Sequence, residues 1–113
     1  MQELQITADE RPQVRVLRLA GQLDLNTRPQ FEEAVRKLDR DKSLIVNLEQ
    51  VPYMDSSGLG AVLSAYLAAQ KHGQKFALTN VPPRVLTIMQ LARVASVVPL
   101  FETVEAAEEK LAV

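Results

Sequence analysis

Val51-Pro52-Tyr53-Met54-Asp55-Ser56-Ser57-Gly58-Leu59-Gly60 is the segment around which the rest of the chain can be ordered. An acid, two hydroxyls and two glycines stand directly before Leu59, Val62, Leu63, Tyr66 and Leu67, which recur at helical spacing on one stripe. Just upstream, Leu44-Ile45-Val46 is a short continuous apolar run with β-branched members, suited to a central strand buried on both faces. Strand, tight turn and amphipathic helix therefore follow one another. Lys71-His72-Gly73 closes that helix, with Gly73 placed to take the left-handed conformation after its end.

Toward the N-terminus, Val14, Val16, Leu17 and Leu19 alternate and stop at Gly21, which predicts a strand. A shorter strand is expected around Leu4 and Ile6, with Asp9 to Pro12 as the turn between the two. After Gly21-Gln22-Leu23-Asp24-Leu25-Asn26, Thr27 can cap a helix with Pro29 in its first turn and Phe31, Ala34, Val35 and Leu38 on its apolar face. Toward the C-terminus, Lys75 to Thr79 suggests a strand, and Pro82-Pro83 opens a helix carrying Val85, Ile88, Met89 and Ala92. Val97 to Phe101 is expected as a last strand, followed by a helix capped by Thr103 and running to Leu111. The order ββαβαβαβα predicts an α/β domain over residues 1–113, with a mostly parallel sheet of about five strands and about four helices.

Composition narrows the chemistry. The 113 residues suit one domain, and the absence of Cys removes disulfides, thiol catalysis and thiolate metal sites. A lone His72 argues against zinc, since thiol-free zinc sites usually need two or more imidazoles. With 13 basic against 14 acidic residues spread along the chain, there is no footprint for direct nucleic-acid binding. The start lacks a signal-peptide pattern, and no apolar run is long enough for membrane insertion. A cytoplasmic protein is the expectation, with neither cofactor nor metal.

At the Ser57 segment a strand end meets a helix start, where backbone N–H groups and the helix dipole tolerate added negative charge. The glycines allow another protein to approach the hydroxyl closely. That is the specification of a phosphorylation switch. Taken locally, Asp-Ser-Ser-Gly is equally a good helix cap and nothing more.

Over nearly its whole length the chain resembles the STAS domain family, specifically the stand-alone bacterial anti-sigma-factor antagonists. The resemblance rests on Tyr53-Met54-Asp55-Ser56-Ser57-Gly58-Leu59-Gly60, supported by Gly21-Gln22-Leu23-Asp24 and Val46-Asn47-Leu48. It implies that Ser57 is the phosphoacceptor. It further implies an anti-sigma factor with serine kinase activity as partner, bound by the unphosphorylated protein so that a sigma factor is released. Phosphorylation ends that binding and a serine phosphatase restores it. The protein itself would not be an enzyme. Asp24, Asn26, Thr27, Asp55, Ser56, Gly58 and Leu59 would form the partner-binding surface. Two positions depart from the family pattern: Gln22, where the loop often carries an acid, and Asn47, where the strand often carries Asp.

Individual residues also have plainer readings. Asp24 can be a turn residue bonding its own backbone, Thr27 a helix cap, and Asp55 a captor of backbone donors. Met54 is expected in the core. A Ser hydrolase is disfavoured because His72 lies about 20 Å from Ser57 along one helix, and no P-loop lysine follows the glycines. A non-phosphorylated structural STAS subunit of a lipid-transport or sensory complex is the alternative within the same fold.

Overall fold

Alternation and burial pattern produce the sheet first. In a computed structural model describing residues 3–111, β1 (Gln5–Glu10) and β2 (Val14–Ala20) form an antiparallel hairpin. β3 (Ser43–Gln50), β4 (Phe76–Thr79) and β5 (Leu100–Phe101) then add in parallel. The sheet order is β1-β2-β3-β4-β5, with α1 (Arg28–Arg36), α2 (Ser56–Lys71), α3 (Pro83–Leu91) and α4 (Val104–Leu111) in the connections and at the end. The expected α/β architecture, five strands and four helices, is what forms.

The two faces of the sheet are covered unequally. Leu17, Leu19, Val46, Leu48 and Leu78 point into a core shared with Phe31, Val62, Ala65 and Met89. On the other face Val14, Val16, Ile45 and Ala77 meet Val104 and Ala107 of α4, with half-buried Phe101 and Leu111 at the edge of this smaller cluster. β2 and β3 are accordingly apolar on both sides, as buried parallel strands tend to be.

Two strand boundaries and the buried face of one helix differ from the sequence expectation, each for a local reason. β1 runs on through Asp9 and Glu10, because their backbones pair with Val16 and Arg15 and Asp9 finds Arg11 at 3.0 Å; only Arg11 to Gln13 remain for the turn. β5 shrinks to two residues. A 3₁₀ turn at Val94–Ser96 draws the N–H groups of Val97 and Val98 onto the Val94 carbonyl, so they cannot join the ladder. In α2 the buried face is Gly58, Leu59, Ala61, Val62, Ala65 and Ala69, while Leu67 is exposed. Small residues let that helix lie close to the sheet and turn the expected leucine stripe toward its rim. Gly73 does close α2 with a positive φ of 71°.

At the N-terminal ends of the parallel strands, the buried Arg15 guanidinium bonds Glu10, the Asp39 carbonyl at 2.8 Å and Asp41 at 3.4 Å. Lys42 reaches the same Glu10 at 3.0 Å. The hydrogen bonds from Arg15 and then Lys42 push the Glu10 carboxyl down to about 2 from its ordinary 4.5. A lowered folded-state pKa means the contribution is complete above pH 4.5 and is lost as pH falls through about 2. Glu10→Gln should therefore lower the melting temperature at neutral pH, with the gap to the wild type closing at pH 2. Because Glu10 is half exposed, the gap should be modest and should narrow in high salt. Thermal melts at several pH values check this; a gap that persists at the acid end would exclude the ion-pair origin.

Candidate functional site

Parallel pairing of β2 and β3 brings the loops that leave their C-terminal ends side by side. The Leu23 N–H donates to the Tyr53 carbonyl at 3.1 Å, and the Asp55 N–H donates to the Leu23 carbonyl at 3.3 Å. An isolated parallel bridge between Leu23 and Met54 extends the sheet between the two loops, with both side chains fully buried. Gly58 permits this approach: a Cβ built there would lie 2.1 Å from the Leu23 carbonyl oxygen. Loop 21–27 and the start of α2 thus form one welded surface.

Asp55 is the helix cap. Its backbone is extended, and its Oδ1 accepts from the Gly58 N–H at 2.9 Å. Its other oxygen accepts from the Leu25 N–H at 3.2 Å, so one carboxylate ties both loops together. Arg28 of α1 adds a third tie, donating through Nη1 to the Ser57 carbonyl at 3.3 Å. Asp55→Ala removes the cap and the loop tether together. It should cost about 1–2 kcal/mol in denaturant unfolding, whereas Asp55→Asn, which keeps an oxygen acceptor for Gly58, should cost less. Equal losses for the two variants would mean that the cap is not what Asp55 contributes.

With capping assigned to Asp55, Ser56 and Ser57 occupy the first two positions of α2. Ser56 is exposed and Ser57 half-buried, and neither hydroxyl hydrogen-bonds to any described residue. Their backbone N–H groups precede the first intrahelical bond and have no acceptor within the helix. Local positive potential therefore surrounds a free hydroxyl. Both oxygens of the neighbouring Asp55 are engaged by backbone N–H groups, and His72 caps the far end of the same helix.

The remaining expected site residues divide by burial. Asp24 is partly exposed and its Oδ1 accepts from Asn26 N–H at 2.9 Å and Thr27 N–H at 3.0 Å, so it organises its own turn. Asn26 is exposed. Thr27, Gly58 and Leu59 are buried and cannot present side chains to a partner; they support the surface from below. Thr27 precedes α1 but does not cap it through its side chain. Its hydroxyl instead donates to the Gln22 carbonyl at 2.8 Å and accepts from the Asp24 N–H at 3.0 Å. Two apolar side chains complete the face: Leu25, 68% exposed, and Tyr53, 42% exposed. Sequence reasoning passed over both. For Leu25 the available signal was an apolar residue between two turn formers, outside every periodic stripe.

A family model described as STAS domain matches residues 5–107. The chain is 29% identical over 103 residues to the anti-sigma F factor antagonist of Paenibacillus polymyxa, covering 88% of this chain and 87% of that one. Among solved structures, an anti-sigma factor antagonist from Mycobacterium paratuberculosis superposes with a TM-score of 0.87 at 22% identity, covering 96% of this chain and 93% of that one. The Bacillus cell fate determinant SpoIIAA in its phosphorylated form superposes with a TM-score of 0.72 at 22% identity, covering 94% and 98%. At those identities the structural matches speak for the fold alone.

Proposed function

Since the chain belongs to the STAS domain family, we propose that it is an anti-sigma-factor antagonist switched by phosphorylation at Ser57. Unphosphorylated, it binds an anti-sigma factor with serine kinase activity in the cytoplasm and releases a sigma factor. The name of the Paenibacillus polymyxa relative supports the antagonist role. The observation that carries the reading is the Ser57 hydroxyl itself, without a hydrogen-bond partner among the described residues in the first turn of α2 while Asp55 does the capping.

The partner meets Asp24, Asn26, Asp55 and Ser56 as polar contacts, with Leu25 and Tyr53 as apolar anchors around the acceptor. Thr27, Gly58 and Leu59 hold that face in shape. The base and the nucleotide come from the kinase, so this chain acts as substrate and ligand and not as catalyst. A phosphate adds roughly −1.5 to −2 charges beside the Asp24 and Asp55 carboxylates, and this disfavours docking against a surface fitted to the neutral hydroxyl. A serine phosphatase then resets the switch. The test is incubation with the kinase-type anti-sigma factor and ATP, followed by peptide mass spectrometry. Phosphate on the peptide containing Ser57 is expected; no phosphate would favour a non-phosphorylated STAS subunit instead, and phosphate elsewhere would remove Ser57 as the acceptor.

A further inference from the structure

β4 and β5 end side by side, and the chain leaves β4 through Asn80, whose φ of 55° is left-handed. A cavity of about 380 Å³ opens at this corner, lined by Asn80, Val81, Leu86, Leu100, Phe101 and Glu102. That volume falls in the lower part of the roughly 300–1,000 Å³ range of small-molecule sites. The walls are mainly apolar, since Val81, Leu86, Leu100 and Phe101 are each half-buried and keep part of their surface open.

Two side chains give this cavity a chemistry of one sense. Among the described residues, the buried side-chain atoms without a hydrogen-bond partner are Thr79 Oγ1 and Asn80 Oδ1. A carboxamide oxygen can only accept, so Asn80 calls for a donor from outside the chain. Glu102 is exposed, has no ion pair among the described residues, and when ionised can likewise only accept. No Lys, Arg or His belongs to the lining. An anion would be repelled by Glu102 and would find no partner in Asn80 Oδ1. A hydrocarbon would fill the walls and leave that oxygen unsatisfied.

A cation with N–H groups on an apolar body answers every wall. We propose that the cavity binds a small protonated primary amine of the aralkylamine class, its ammonium between Asn80 Oδ1 and the Glu102 carboxylate and its body against Phe101, Leu86 and Leu100. Because Oδ1 is buried, the Asn80 amide turns about its side-chain bonds to meet the occupant. Thr79 is fully buried one residue earlier and does not line the cavity, so its hydroxyl is no ligand. The site does not depend on phosphorylation at Ser57.

The test is titration of the isotope-labelled full chain with phenethylammonium chloride at millimolar concentration, followed by backbone and Asn80 side-chain amide resonances. Saturable shifts centred on Asn80, Val81, Leu86 and Leu100 to Glu102 are expected, and none with phenylacetate, which puts the opposite charge on a similar body. Asn80→Gly removes the acceptor and suits a φ of 55°, so it should fold and bind about tenfold more weakly. Glu102→Gln should weaken binding about threefold, since an exposed charge contributes less than a buried acceptor. Thr79→Val replaces the neighbouring buried hydroxyl by a group of the same shape and should leave binding unchanged. Absence of saturable shifts with the amine would overturn the proposal, leaving a water-filled cavity. Equal binding of phenylacetate, unchanged binding by Asn80→Gly, or an equal loss in Thr79→Val would overturn it as well.

Discussion

Ser57→Asp should lose affinity for the kinase-type anti-sigma factor by several hundredfold while melting within a degree or two of the wild type. The binding loss corresponds to about 3–4 kcal/mol, the scale expected when a charge is forced into an interface fitted to a hydroxyl. The unchanged melting temperature follows from position. The Ser57 hydroxyl holds no hydrogen bond to any described residue, and a carboxylate in the first turn of α2 interacts favourably with the helix dipole by about 0.3–1 kcal/mol. Ser57→Ala should bind as the unmodified protein does and accept no phosphate, acting as a constitutive antagonist. Titration calorimetry against the partner, paired with thermal melts, measures both halves. A Ser57→Asp protein that binds normally would remove Ser57 from the interface. One that unfolds would return the residue to a structural role.

Gly58→Ala is the largest expected loss of stability. On helix propensity alone the change should help by about 1 kcal/mol. Against that stands an overlap with main chain: 2.1 Å to the Leu23 carbonyl oxygen and 2.8 Å to its carbon. Backbone cannot swing aside as a side chain can. Relief requires loop 21–27 to move, which strains the Leu23–Tyr53 and Asp55–Leu23 bonds. A net loss of about 3 kcal/mol or more is expected, lowering the melting temperature by roughly 10–20 °C. Gly60→Ala is the control. Its nearest neighbour is the side-chain atom Arg28 Nη1 at 3.4 Å, which can give by a few tenths of an ångström, so the propensity gain should prevail and that variant should be neutral or slightly more stable. Parallel urea titrations separate the outcomes; similar behaviour of the two variants would mean that the loop contact at Gly58 is not tight.

These two glycines mark what could be read from sequence and what could not. Both look alike in the string Ser57-Gly58-Leu59-Gly60, and only the approach of Leu23, 35 positions earlier, distinguishes them. Elements governed by local periodicity, such as β2, β3 and the start of α2, were legible because burial repeats every two or every 3.6 residues. Elements governed by competition for hydrogen bonds were not. Thr27 has the composition of a cap, yet its hydroxyl goes to Gln22. Val97 and Val98 look like strand, yet their N–H groups go to Val94. Topology sufficed to put the loop carrying Asp24 beside the helix start carrying Ser57. Leu25 was missed because an exposed leucine in a loop leaves no periodic trace.

The strands lie side by side in the order in which they occur along the chain, and no later strand has to be threaded between two earlier ones. Assembly can therefore keep pace with synthesis. The β1–β2 hairpin is complete within the first 20 residues, and each further strand extends an edge that already exists once its helix has emerged. The Ser57 surface is finished at α2, well before β4, β5 and α4 leave the ribosome. All the residues of the proposed recognition face are thus synthesised before the last two strands of the sheet.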